Sequence, residues 1–219
     1  MKLSIRLQAI YNFVDEGSIV ADVGCDHGLL SCALAIRHRS KKVYACDIAE
    51  LPLEQAKRTI KHYSVENSVF AILSDGIQNV EKDADTLIIA GLGYDSIHSI
   101  LNHNLEKLKQ FKKIIIQSNR EIEKIRMFIS EHNFKVIEEC CVFDIHYYQV
   151  ISFCCDYDKE LSNNEIMFGK KMNKNNVFQQ MWLAKMNKYE AIIKKLDAYS
   201  QRYRELQILI QAIQKEIEG

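Results

Sequence analysis

This 219-residue sequence predicts an α/β fold with a mostly parallel sheet, followed by an all-helical C-terminal segment. Three observations carry the prediction. Short apolar runs alternate with amphipathic helical patterns as far as residue 156. Glycine and acidic residues recur where those runs end. Beyond residue 156 there is no strand-like run, and the apolar residues fall into a helical repeat.

Taken in order, Ser4 caps a first helix that runs to about Val14 on apolar Ile5, Leu7, Ala9, Ile10 and Phe13. The first strand, Ile19–Val23, ends at Gly24. A helix follows from about Gly28 to Arg37. The second strand, Val43–Cys46, ends at Asp47. Pro52, the only proline, suits the first turn of the next helix, which reaches about Tyr63. A third strand, Val69–Leu73, ends at Ser74-Asp75-Gly76, and a fourth, Thr86–Ala90, at Gly91-Leu92-Gly93. A helix over Ser96–Lys107 leads to a fifth strand, Lys113–Gln117, ending at Ser118-Asn119. After a helix over Glu121–Glu131, two long runs, Phe134–Phe143 and His146–Cys154, read as a hairpin turning at Asp144-Ile145. Strands joined through helices imply parallel pairing with right-handed crossovers. Seven strands with the last reversed is the arrangement of a Rossmann-like class I methyltransferase. Its ligand site lies beyond the carboxyl ends of strands one to four.

The division into residues 1–156 and 157–219 follows from the loss of strand signals. In the second segment Ser162 and Glu165 fit a capping box, and Asn173, Asn175 and Asn176 form a polar break. From Tyr189 apolar residues recur in steps of three and four to Ile217, a heptad stripe. Two or three helices packed as an antiparallel coiled coil are expected there. They serve either as a stabilising hairpin or as an RNA-contacting arm.

Composition excludes several classes. Hydrophobic residues make up 47% and charged residues 26%, which is globular and not disordered. No apolar run reaches the roughly 20 residues of a membrane span, so no membrane association is expected. MKLSIRLQAIYNF lacks the apolar core and cleavage site of a signal peptide, so the expected location is the cytoplasm. The seven cysteines include adjacent pairs in apolar runs and no C-x-x-C, and are expected to be buried, reduced and without metal. Net charge is zero, but residues 157–219 hold 11 basic and 8 acidic residues against 18 and 21 before them. The balance excludes only an RNA held by charge alone.

The sharpest local feature is Asp22-Val23-Gly24-Cys25-Asp26-His27-Gly28 after the first strand. Glycines there let the backbone approach a bound group, and the following helix offers free N–H groups. The spacing is G-x-x-x-G and not the dinucleotide G-x-G-x-x-G. Acids at successive strand ends, Asp22, Asp47 and Asp75, would repel a pyrophosphate. They suit a ligand with an amino group, a sulfonium and a ribose, which S-adenosylmethionine combines. Asp47 is placed to accept ribose hydroxyls, and Asp75 the adenine amine. The candidate cofactor residues are Asp22, Gly24, Cys25, His27, Gly28, Asp47, Ile48, Asp75, Gly76, Ala90, Gly91 and Leu92. No metal is expected. His27 has an ordinary structural role as its alternative.

Over nearly its whole length the chain resembles the bacterial tRNA adenine-N1 methyltransferases that act on adenosine 22. The resemblance rests on Leu3-Ser4-x-Arg6-Leu7, Ala21-Asp22-Val23-Gly24-Cys25-Asp26-His27 and Ser74-Asp75-Gly76. It rests also on Ala84-Asp85-Thr86-x-Ile88-Ile89-Ala90-Gly91-Leu92-Gly93 and on Gln117-x-Asn119. It implies methyl transfer from S-adenosylmethionine to N1 of an adenosine in the D-arm region of tRNA, leaving S-adenosylhomocysteine, by a monomer. The chain departs from the family where Leu29 and Ser31 replace tyrosine and proline, where Tyr94 and Asp95 follow Ala-Gly-x-Gly, and where Ser118 replaces proline. The same first domain would also serve a small-molecule methyltransferase, or a non-catalytic RNA-binding protein with a vestigial cofactor fold.

For attack by adenine N1, alignment matters more than a strong base, because the lone pair lies in the ring plane. The base must be unpaired or flipped. Asp26 is expected to accept a hydrogen bond from the exocyclic amine, with helix capping as its alternative role. Tyr94 is expected to stack on the adenine, and Gln117 and Asn119 to line the pocket. Expected RNA contacts are Lys2, Arg6, Arg37, Arg39, Lys41, Lys42, Lys170, Lys171 and Lys174.

Overall fold

A computed structural model describes residues 1–218. Helix α1 (Ile5–Phe13) starts at Ser4, whose hydroxyl accepts the Leu7 N–H. Strands β1 (Ser18–Val23) and β2 (Ser40–Asp47) flank helix α2 (Leu29–Ile36). Helix α3 (Glu50–His62) leads to β3 (Val69–Leu73), and β4 (Thr86–Leu92) to α4 (Tyr94–Asn102). The short α5 (Leu105–Leu108) and β5 (Lys113–Ser118) precede α6 (Ile122–Glu131). The last strands are β6 (Phe134–Asp144) and β7 (His146–Tyr157), and α7 (Asn163–Phe168) follows. The single helix expected over Ser96–Lys107 is two, because the chain turns at 103–104.

The seven strands form one sheet in the order β3-β2-β1-β4-β5-β7-β6. Only β7 runs against the others, pairing antiparallel with β5 and β6. The order reverses between β1 and β4, so the carboxyl ends of these two strands open a crevice. Both sheet faces are covered, as continuous apolar strands require. Val20, Val43, Ile88 and Ile115 face α1, α2 and α3, while Ala21, Leu87, Ile89 and Ile116 face α4 and α6. Each fully buried isoleucine or leucine in these layers contributes about 1.5–3 kcal/mol.

The chain divides into two compact units, Met1–Met172 and a second beginning at Asn173. The boundary read from the sequence, 156/157, marks only the end of the strands. Residues 157–172 stay with the sheet because a buried ion pair holds them. Arg126 of α6 donates to Glu139 of β6 at 2.7 Å and to the carbonyls of Ile166 and Met167 in α7. The other Glu139 oxygen accepts the Lys171 N–H at 2.9 Å. The predicted Ser162–Glu165 capping box is formed.

The second unit contains α8 (Asn176–Ile193) and α9 (Gln201–Glu218). Asn175 caps α8 by accepting the Phe178 N–H. Lys174 ahead of α8 pairs with Glu216 near the end of α9, so the two helices form a hairpin. Leu206 and Ile213, seven residues apart, are the buried seam of α9. The heptad stripe does not run on through one helix. Leu196 falls in the connection between them, as does exposed Tyr199.

Candidate functional site

A cavity of about 680 Å³ opens at the carboxyl ends of β1, β2 and β4. Eleven of the twelve expected cofactor residues line it: Asp22, Gly24, Cys25, His27, Asp47, Ile48, Asp75, Gly76, Ala90, Gly91 and Leu92. Gly28 does not. It is the left-handed residue ahead of α2 (φ 67°), and an added Cβ would lie 3.2 Å from Ala56 Cβ. Its smallness serves the packing of α2 on α3.

The acids are held in different ways. Asp22 is buried, and Ser31 on α2 donates to it at 2.6 Å. Burial pushes its carboxyl up from 3.8 to about 6, against the pull of the Ser31 hydrogen bond and with a further push from Asp47. Asp47 accepts the Ala49 N–H at 3.0 Å through one oxygen and the Asp26 N–H at 3.3 Å through the other, which fixes its plane. Asp75 is exposed at the cavity rim. Between them Gly24 and Cys25 both donate to the Cys46 carbonyl, which folds the loop back over β2. Ile48 and Leu92 give the cavity an apolar component. Burial raises the thiol of Cys25, as it does that of Cys46 to about 12, so neither supplies a thiolate nucleophile.

Asp26 has a left-handed backbone (φ 51°), and its exposed carboxylate lies 3.6 Å from His27 Nε2. It does not cap α2, whose N-terminus has no side-chain cap. The capping alternative is therefore not formed, and Asp26 is one of the residues that line the cavity.

Three expected catalytic residues stand behind the lining. Tyr94 packs on His98, ring centres 5.4 Å apart, with the Lys124 ammonium 5.1 Å above its ring. Gln117 is buried and accepts from Arg6 Nη1 at 2.7 Å. It donates to Asn119, which donates to the Gly91 carbonyl at 2.6 Å. This chain positions two residues that do line the cavity, Arg6 and Gly91. Arg6, expected on an RNA-facing surface, is thus part of the cavity wall. Leu7, Val23, Leu29, Leu30, Ser74, Ser96, Ser99 and Ile100 complete that wall. They come from five separate segments, so no local spacing marks them.

The other basic candidates divide. Arg37 bonds Gln8 and the Met1 carbonyl, and Arg39 bonds the Val14 and Asn12 carbonyls. Lys42 pairs with Asp83, Lys170 with Asp158 and Lys174 with Glu216. These five fasten the fold. Lys2, Lys41 and Lys171 are solvent-exposed.

Cavity and fold together set the terms of comparison with known proteins. The tRNA (adenine(22)-N(1))-methyltransferase of Bacillus subtilis (strain 168) is 30% identical over 140 residues, 64% of this chain and 59% of that protein. The ribosomal protein L11 methyltransferase of Caldanaerobacter subterraneus subsp. tengcongensis is 35% identical over 104 residues, 48% of this chain and 33% of that protein. The chain thus aligns with less than two thirds of the length of these curated relatives. M. capricolum TrmK, solved with S-adenosyl-homocysteine, is 28% identical with a TM-score of 0.88, covering 100% of this chain and 99% of that one. Residues 3–151 match the family profile described as a methyltransferase domain. This chain belongs to the methyltransferase-domain family.

Proposed function

We propose that this protein transfers a methyl group from S-adenosylmethionine to N1 of adenosine 22 in tRNA. The observation that carries the cofactor assignment is the convergence of Asp22, Asp47 and Asp75 on one cavity. Three carboxylates disfavour a phosphate-rich ligand and favour a cationic one. The tRNA assignment rests on the match to TrmK over both whole chains, helical hairpin included. The protein acts as a monomer in the cytoplasm.

S-adenosylmethionine, when bound, supplies an electrophilic methyl on a sulfonium. Asp22 would meet its cationic part, Asp47 would accept from its ribose hydroxyls, and Asp75 would accept from its adenine amine. Ile48 and Leu92 would supply apolar contact. Asp26 accepts a hydrogen bond from the exocyclic amine of the target adenine, which turns N1 toward the methyl. Because the N1 lone pair lies in the ring plane, methyl transfer, with the sulfonium C–S bond breaking to leave S-adenosylhomocysteine, would require no residue to remove a proton first. The product purine is a cation, and the fixed Asp26 carboxylate favours the charge as it develops. Arg6, held by Gln117, keeps the cavity wall in place beside Gly91.

Two measurements test the proposal. Calorimetric titration with S-adenosylmethionine should give one saturable site. Labelled cofactor should then pass its methyl to unmodified tRNA. A protein that binds the cofactor but methylates a small molecule or a protein, and no tRNA, would contradict the substrate assignment.

A further inference from the structure

The β6–β7 hairpin ends in side chains that neither core nor cavity uses. β6 is parallel to β1–β5, so the hairpin turn lies at the sheet edge where the cavity opens. Phe143 and Tyr147 stand directly opposite each other across the hairpin, ring centres 4.9 Å apart. Phe143 is 50% exposed. Ile145 makes the turn, is 82% exposed and has φ 63°. A β-branched residue in the left-handed region is an outlier, where glycine or asparagine is usual. Folding alone does not account for an isoleucine there.

The opposite face of the tip is anchored. Asp144 accepts the Arg6 N–H at 3.0 Å, and the Arg6 guanidinium lies 5.7 Å from the centre of the Tyr148 ring. The same guanidinium reaches Gln117 and lines the cavity. Arg6 thus fixes the hairpin relative to the cavity and leaves the Phe143–Tyr147 face open.

We propose that this face is a stacking platform for the unpaired bases that flank the target nucleotide. The proposal rests on the tRNA reading of the cavity. A base that presents its Watson–Crick edge to an enzyme leaves its stack and uncovers the faces of its neighbours. Exposed aromatic rings are the side chains on which such faces settle, with little regard to sequence. Phe143 and Tyr147 replace the stacking that the departing base gave up.

The test measures direct binding of an unmodified tRNA transcript, alongside methyl transfer, cofactor affinity and melting temperature. Phe143→Ala and Tyr147→Ala should each weaken tRNA binding about tenfold, leaving cofactor affinity unchanged and the melting temperature lowered only by the loss of one cross-strand pair. Phe143→Trp should bind tRNA as well as the parent protein. Unchanged tRNA binding in both alanine variants overturns the platform. A parent protein that self-associates through this pair, with variants that become monomeric and bind tRNA normally, overturns it too. Parent protein that binds tRNA in a Phe143-dependent way but transfers no methyl contradicts the proposed reaction and leaves the platform supported.

Discussion

Replacing Asp22 with asparagine should make the unliganded protein more stable at neutral pH while removing cofactor binding. In the unfolded chain this carboxyl titrates near 3.8; in the fold, burial raises it to about 6. Between those values the folded state binds more protons than the unfolded one, so stability falls as pH rises through that window and stays lower above it. About two pH units at 1.36 kcal/mol each gives roughly 3 kcal/mol. Asparagine keeps the shape and can accept the Ser31 hydroxyl at the same place, but it carries no charge. Urea unfolding of parent and Asp22→Asn protein in pH steps from 3.5 to 8 measures the difference. The advantage of the variant should be near zero at pH 3.5, grow to about 3 kcal/mol by pH 7 and then stay level. A variant less stable than the parent at pH 8, or a difference independent of pH, refutes the reasoning. Cofactor affinity supplies the complement. In the parent it should rise as pH passes about 6, as Asp22 gains the charge that meets a cation. Ser31→Ala removes a hydrogen bond to that charge, worth about 1.5–3 kcal/mol, and should move the midpoint up by about one to two units.

Three further outcomes follow from the geometry. Asp26→Ala should lower kcat about 10- to 100-fold with cofactor affinity unchanged, because Asp26 lines the cavity and does not cap α2; single-turnover methyl transfer separates the two quantities. Arg126→Ala strands the buried Glu139 carboxylate and should cost about 3–5 kcal/mol, read by thermal melting. Gly76→Ala places a Cβ 3.1 Å from Ile100 at φ 56°, and should both destabilise the fold by about 1–2 kcal/mol and weaken cofactor binding, read by melting and calorimetry.

Features that depend on neighbours in sequence were legible in it. The strand Val69–Leu73, the Ser4 cap, the capping box and the reversed last strand all stand where local pattern puts them. Eleven residues of the cavity wall could be read because this fold places the ends of parallel strands at one edge, and each end carries its own glycine or acid. What pattern could not supply was pairing at a distance. Arg6 reads as a surface cation until Gln117, 111 residues away, draws it into the cavity wall. Lys170 and Lys174 read as an RNA-facing run until Asp158 and Glu216 claim them. The boundary after Met172 depends on Arg126 and Glu139, which come together only once β6 is paired. Tyr94 reads as a base-stacking ring in place of the tyrosine missing at position 29, but at the start of α4 it packs on His98.

The central claim is the identity of the methylated atom. An unmodified tRNA transcript incubated with methyl-labelled S-adenosylmethionine, then digested and mapped by nucleoside and position, tests it directly. One methyl group per tRNA is expected, on N1 of adenosine 22, and none on a transcript with guanosine at that position. Label on another atom or nucleotide, or label that survives the replacement, would contradict it.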